Sequence, residues 1–80
     1  MKPGDLITIN KIRAGVGQGN VTKSWVPIFR EPSGDSGAVT IIESTAIGLL
    51  LSYDEKTHWG LCLFSGLRLG WLNGPWIQRV

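Results

Sequence analysis

A few places in this sequence hold side chains that could do chemistry. Gly34-Asp35-Ser36-Gly37 sets a hydroxyl beside a carboxylate between two glycines, a turn on which a nucleophile could sit. A serine nucleophile needs a histidine base at hydrogen-bond distance and a carboxylate to orient that base. His58 is the only histidine. With Asp54 and Glu55 it could form an acid–base cluster, but Asp54-Glu55-Lys56-Thr57-His58 reads first as a solvated hairpin loop. Cys62, the only cysteine, sits between Leu61 and Leu63 and reads as a buried small hydrophobe rather than a nucleophile. One Cys and one His, four residues apart, leave too few ligands for a zinc site, and a lone Cys excludes an internal disulfide. Neither a metal nor a cofactor is expected. Gly15, Gly17 and Gly19 have the spacing of a phosphate-cradling loop. Such a loop needs a helix after it with a Lys or Asp partner, and Val21-Thr22-Lys23-Ser24-Trp25-Val26 is no such helix. A flexible loop is the simpler reading.

The tryptophans are the most informative set. Trp25, Trp59, Trp71 and Trp76 fall within only 80 residues. They pack a core and its rim, or they line an aromatic groove for a peptide, a glycan or single-stranded nucleic acid. Eight basic and six acidic residues give a net charge of +2. The cations stand singly along the chain, which is a solvated surface before it is a nucleic-acid footprint. No run approaches the ~18 apolar residues of a membrane span. The first residues carry no apolar stretch of the secretory kind. With a free thiol, this gives the cytoplasm as the expected location and no membrane partner.

The elements that must position these side chains are strands. Eleven glycines, four prolines and many β-branched and aromatic residues argue for β structure, and no segment keeps a 3.6-residue period. Leu6–Ile9 reads as a first strand. Val26–Arg30 reads as a strand that lies on an edge or begins at Pro27, because proline cannot donate to a ladder. Glu31–Gly37 is a turn-rich loop, and Ala38–Ile42 is the next strand. In the segment 45–53, Ile47, Leu49, Leu51 and Tyr53 share one face, which is the expected core face. Two apolar runs, 59–64 and 67–72, flank Ser65-Gly66 and form a hairpin. If those two residues are the whole loop, Phe64 faces Leu67, Cys62 faces Leu69 and Gly60 faces Trp71. Trp59 then meets Leu72, Leu61 meets Gly70 and Leu63 meets Arg68. Trp76–Val80 closes the sheet after Asn73-Gly74-Pro75. Five to six short strands on one small core favour a partly open barrel spanning residues 1–80 as one domain.

Trp59…Leu63-Phe64-Ser65-Gly66…Gly70-Trp71-Leu72…Trp76-Ile77 resembles the closing half of SH3-like barrels, as found in bacterial SH3 domains and small phage-encoded proteins. Val26–Pro32 resembles the opening strand and loop of the bacterial domains. Met1–Ile7 resembles the Gly-Asp-aliphatic start of small phage barrels. The resemblance implies an all-β, SH3-like small barrel acting as a binding module; the bacterial domains often bind cell wall outside the cytoplasm, and the phage resemblance makes a phage particle the other expected setting. The tandem tryptophans and paired tyrosines of Pro-rich-peptide binders are not present. Gly34–Gly37 resembles the nucleophile loop of trypsin-like serine proteases, but that family places its histidine before the serine and needs two barrels.

The hairpin is apolar on both faces, and 80 residues cannot cover both. One face fills the barrel, so the other needs loops, a second copy or a partner. The expected function is therefore a non-enzymatic protein-interaction or assembly module. Trp25, Trp59, Leu61, Leu63, Trp71 and Trp76 are its candidate contact residues. The alternative is a nucleic-acid-binding barrel in which Lys23, Lys56 and Arg68 supply charge and exposed tryptophans stack on bases.

Overall fold

The computed structural model of the protein describes residues 2–13 and 25–80. Among them, seven strands form one antiparallel sheet. They are β1 (Leu6–Ile9), β2 (Trp25–Phe29), β3 (Ala38–Glu43), β4 (Ile47–Asp54), β5 (Trp59–Phe64), β6 (Arg68–Asn73) and β7 (Ile77–Arg79). One 3-10 turn, Gly74–Trp76, separates β6 from β7. The spatial order is β3-β2-β6-β5-β4-β1-β7, and the sheet curls into an open half-barrel. The stretch 14–20, with its phosphate-loop reading, and residues 21–24 lie outside the described residues.

The curl buries one face. Ile7 and Ile9 of β1, Val26 and Ile28 of β2, Ile42 of β3, Leu50 of β4, Cys62 and Phe64 of β5, Leu72 of β6 and Ile77 of β7 form the core. Alternation carries this face along β5, where Gly60, Cys62 and Phe64 point in while Trp59, Leu61 and Leu63 point out. Ala46, Tyr53 and Trp76 pack on the rim.

Three expectations need correction. The β5–β6 register is displaced by one residue. Gly60 pairs with Leu72, Leu61 with Trp71, Cys62 with Gly70, Leu63 with Leu69 and Phe64 with Arg68. The loop is three residues, Ser65-Gly66-Leu67, with Gly66 at φ 79° and Leu67 at φ 58°. A bulky leucine in the left-handed region gives no signal in sequence, whereas Ser-Gly alone looks like a complete turn. A one-residue slip exchanges faces. Leu72 therefore belongs to the core, while Leu69 and Trp71 stand on the outer face.

The second correction is the core face of β4. Gly48 and Leu50 are buried, while Ile47 and Leu51 are exposed. A register shift between Leu50 and Ser52 makes Leu51 an extra, unpaired residue, which returns Tyr53 to the rim of the core. Counting bulky side chains missed the glycine. A Cβ at position 48 would lie 2.7 Å from Cδ1 of Phe64, because the ring occupies that space. Pro27 is not on an edge strand, since β2 lies between β3 and β6. It pairs with β6 only through Phe29 and Trp71, so no β6 partner waits for the missing N–H.

Gly48→Ala should destabilise the fold by about 1–3 kcal/mol, the cost of forcing a methyl against a packed ring. Gly34→Ala, where a Cβ would meet nothing within 4 Å, should stay within about 0.5 kcal/mol. Urea unfolding followed by tryptophan fluorescence measures both.

Candidate interaction surface

The side chains singled out for chemistry are engaged by their own loops. Ser36 Oγ donates to the Ser33 carbonyl at 2.8 Å and accepts the Glu31 N–H at 3.1 Å. Its proton goes to backbone rather than to a base. Asp54 Oδ1 accepts the Lys56 N–H at 2.9 Å, and this bond holds its carboxyl below the usual range. His58 is exposed at φ 60°, with its N–H on the Asp54 carbonyl and its own carbonyl accepting from Gly74 N–H, each at 2.7 Å. The residue ties the β4–β5 loop to the turn after β6. Cys62 is fully buried, and burial pushes its thiol up to about 12. An open cleft of about 470 Å³ beside β1 and β7 is lined by Thr8, Asn10, Lys11, Thr45, Ile47 and Gln78 among others; it offers hydroxyls and one amine but no His, Asp or Glu.

The outer face of the sheet carries a different set. Trp59, Leu61 and Leu63 of β5 point outward, as do Leu69 and Trp71 of β6. Cross-strand pairing places Trp71 between Leu61 of β5 and Phe29 of β2. The Phe29 and Trp59 rings meet edge to face, 5.5 Å apart at 73°. Leu63 sits between Leu69 and Leu49, and Leu49 is opposite Leu6 of β1. Ile47 continues the row on β4, two residues from Leu49 on the same side. Leu69 is 49%, Ile47 55% and Leu6 58% exposed. The result is an apolar field across β2, β6, β5, β4 and β1, with no charged residue in it among the described residues. Charges begin at its margins, Asp54 beyond Trp59 and Glu43 opposite Trp25.

Of the six residues the sequence singled out, Trp59, Leu61, Leu63 and Trp71 therefore meet on one surface. Trp25 lies on the same face at the outer end of β2, exposed. Trp76 does not join them; it follows Pro75 in the 3-10 turn and packs on the core rim. Phe29, Leu69, Leu49, Ile47 and Leu6 were missed. The correct register would have revealed Leu69, and the glycine slot at 48 would have revealed Ile47 and Leu49.

Arg68, a candidate nucleic-acid contact, donates instead through Nε to the Ser65 carbonyl at 3.0 Å and through Nη1 to the Ile41 carbonyl at 3.3 Å. Lys56 stands exposed in the β4–β5 loop, beside Asp54 at the margin of the apolar field, and Lys23 lies outside the described residues. Among the described residues, no helix is long and apolar enough to cross a membrane.

The buried thiol makes a testable pH statement. The folded state keeps the Cys62 proton above pH 9, where the unfolded chain gives it up. Its contribution is thus complete below pH 9 and is lost as pH rises towards 12. The stability difference between the wild type and Cys62→Ala should shrink between those limits, read from urea midpoints. A thiol reagent should label Cys62 only after denaturation. Comparison with family models, curated proteins and solved structures finds no match for this chain.

Proposed function

We propose that this protein is a non-enzymatic assembly module of the SH3-like type, and that it works through the outer apolar face of its half-barrel. The observation that carries the reading is the uncharged field formed by Leu61, Leu63, Leu69 and Trp71, extended by Ile47 and Leu6. Scattered exposed leucines need no explanation, but a contiguous field with charge only at its margin has the composition of an interface centre. Its mate is another apolar surface, supplied by a second copy or by a different subunit of an assembly such as a phage particle. Trp59 and Trp71 would anchor it, since each is already held on one side by a neighbour and loses little freedom on binding.

Nucleic-acid binding has less support. Stacking platforms work beside a cationic groove. Among the described residues the exposed aromatic surface holds no cation, and Arg68 is turned to the backbone of β3 and of its own loop. Fluorescence titration with an oligonucleotide at low salt should leave the tryptophans unquenched.

Leu69→Lys and Ile47→Lys place charge in the field at positions that are about half exposed, so folding should be unaffected. Sedimentation velocity across a concentration series should show the wild type associating from its 8.7 kDa chain at lower concentration, and to larger species, than the double variant. Circular dichroism should be unchanged between them. A wild type that stays monomeric at every concentration, and that also fails to bind an apolar-surface dye, would overturn the reading.

A further inference from the structure

Among the described residues the half-barrel has two free edges, β3 and β7. The two are not alike. β7 is three residues long and carries Gln78 and Arg79, the short and polar form that discourages strand addition. β3 is six residues, Ala-Val-Thr-Ile-Ile-Glu, with five uncharged positions in a row and no proline. That composition favours pairing with another strand.

Which backbone groups of β3 are free follows from its partner. Opposed residues in an antiparallel ladder alternate between pairs that exchange both bonds and pairs that exchange none. Pro27 faces Ile41 and has no N–H to give. At the other end of the ladder the Arg30 N–H donates to the Gly37 carbonyl. Counting inward from that bonded pair across the bulge leaves Ile28–Thr40 bonded and Pro27–Ile41 unbonded. The N–H and C=O of Ile41 therefore point away from β2. The Ile41 carbonyl also accepts a hydrogen bond from Arg68 Nη1 of β6, at 3.3 Å.

We infer that β3 adds to β3 of a second copy, antiparallel and centred on Ile41. This surface is distinct from the outer face proposed above. A twofold pairing must present the same edge to itself, and this edge meets that condition. Centred on Ile41, each Ile41 exchanges two bonds with its counterpart. Thr40 then faces Ile42, and Glu43 faces Val39 of the second copy. The two glutamates stand at opposite ends of the joint rather than against each other, which a shift of the centre towards Glu43 would not allow. The outward side chains Ile41 and Pro27 continue across the twofold as one apolar strip. Arg68 is the latch on this edge. It holds one carbonyl lone pair through an exposed, long hydrogen bond, and a carbonyl has a second lone pair for the incoming N–H.

Amide exchange by NMR tests this without any variant. The Ile41 N–H should slow by about tenfold or more as protein concentration rises. The Ile42 N–H, already bonded to β2, should not change. Ile41→Pro removes a donor that the fold itself does not use and should abolish the dimer. Ile41→Lys, which keeps the backbone and adds an edge charge, should do the same if the proline variant fails to fold. Arg68→Ala should shift dimerisation to lower concentration. The series is repeated in the Leu69→Lys, Ile47→Lys background, where face association is removed. Protection of Ile41 that persists there separates the edge from the face. An Ile41 amide that exchanges at one rate at all concentrations, or a dimer undiminished by both Ile41 variants, overturns the inference and leaves the face reading standing.

Discussion

Everything in this small sheet depends on large side chains lying over bare backbone. Phe64 rests on Gly48, Ile28 on Gly70, and Leu50 with Ile77 on Gly60; a Cβ at any of the three would come within 3 Å of those atoms. Ten buried apolar residues are few for seven strands. They fill the interior only because the sheet folds closely onto itself, and glycine on the concave face permits that approach. Each ring or branched chain thereby covers two strands at once. Gly48 and Gly60 sit on adjacent strands, and Gly60, Cys62 and Gly70 form one inward patch with Leu72. The glycines set the curvature, and the curvature decides which face becomes the outside.

That dependence explains what could be read from the sequence and what could not. The strands were legible because Gly, Pro and charged loops punctuate runs of Ile, Val, Leu and Trp. Leu6–Ile9, 38–42 and 59–64 fall where alternation and breakers place them. The two-sided hairpin was legible as well, since no register can hide all of Trp59, Leu61, Leu63, Cys62 and Phe64. Register was not legible, because it turned on Leu67 adopting a conformation its residue type disfavours. The inward face of β4 was not legible either. Its decisive residues are Gly48, which marks the core by having no side chain, and Leu51, whose bulge breaks the alternation midway. Where small size signals burial, a count of bulky residues points to the wrong face. The chemistry of the loops was partly legible: the serines, Asp54 and His58 are turn-builders whose hydrogen bonds run to nearby backbone.

The outer field and the β3 edge are both consequences of the same geometry. A sheet that spends its glycines on the concave side sends Trp59, Trp71 and the leucines between them outward. The open form of the barrel leaves β3 with a free ladder among the described residues. The two surfaces differ in what they ask of a partner. The field is uncharged and needs only matching shape, so it gives adhesion without direction. The edge has directional bonds at fixed spacing, so it gives register and orientation.

Arg68 links the two. It begins β6, the strand that bears Leu69 and Trp71, yet its guanidinium reaches across to the edge of β3. Phe29, the β2 residue that pairs with Trp71, sits two residues from Pro27, the partner of Ile41. A surface pressed against Trp71 and Phe29 therefore lies within one strand of the ladder that Arg68 guards. Nothing needs to be transmitted over distance for occupancy of one surface to bear on the other. A shift of β6 relative to β2, which are joined by the single pair Phe29–Trp71, would move the guanidinium and the aromatic field together. The loosest joint in the sheet thus lies where the two surfaces meet, between the strand that bears the field and the pair of strands that ends in the free edge.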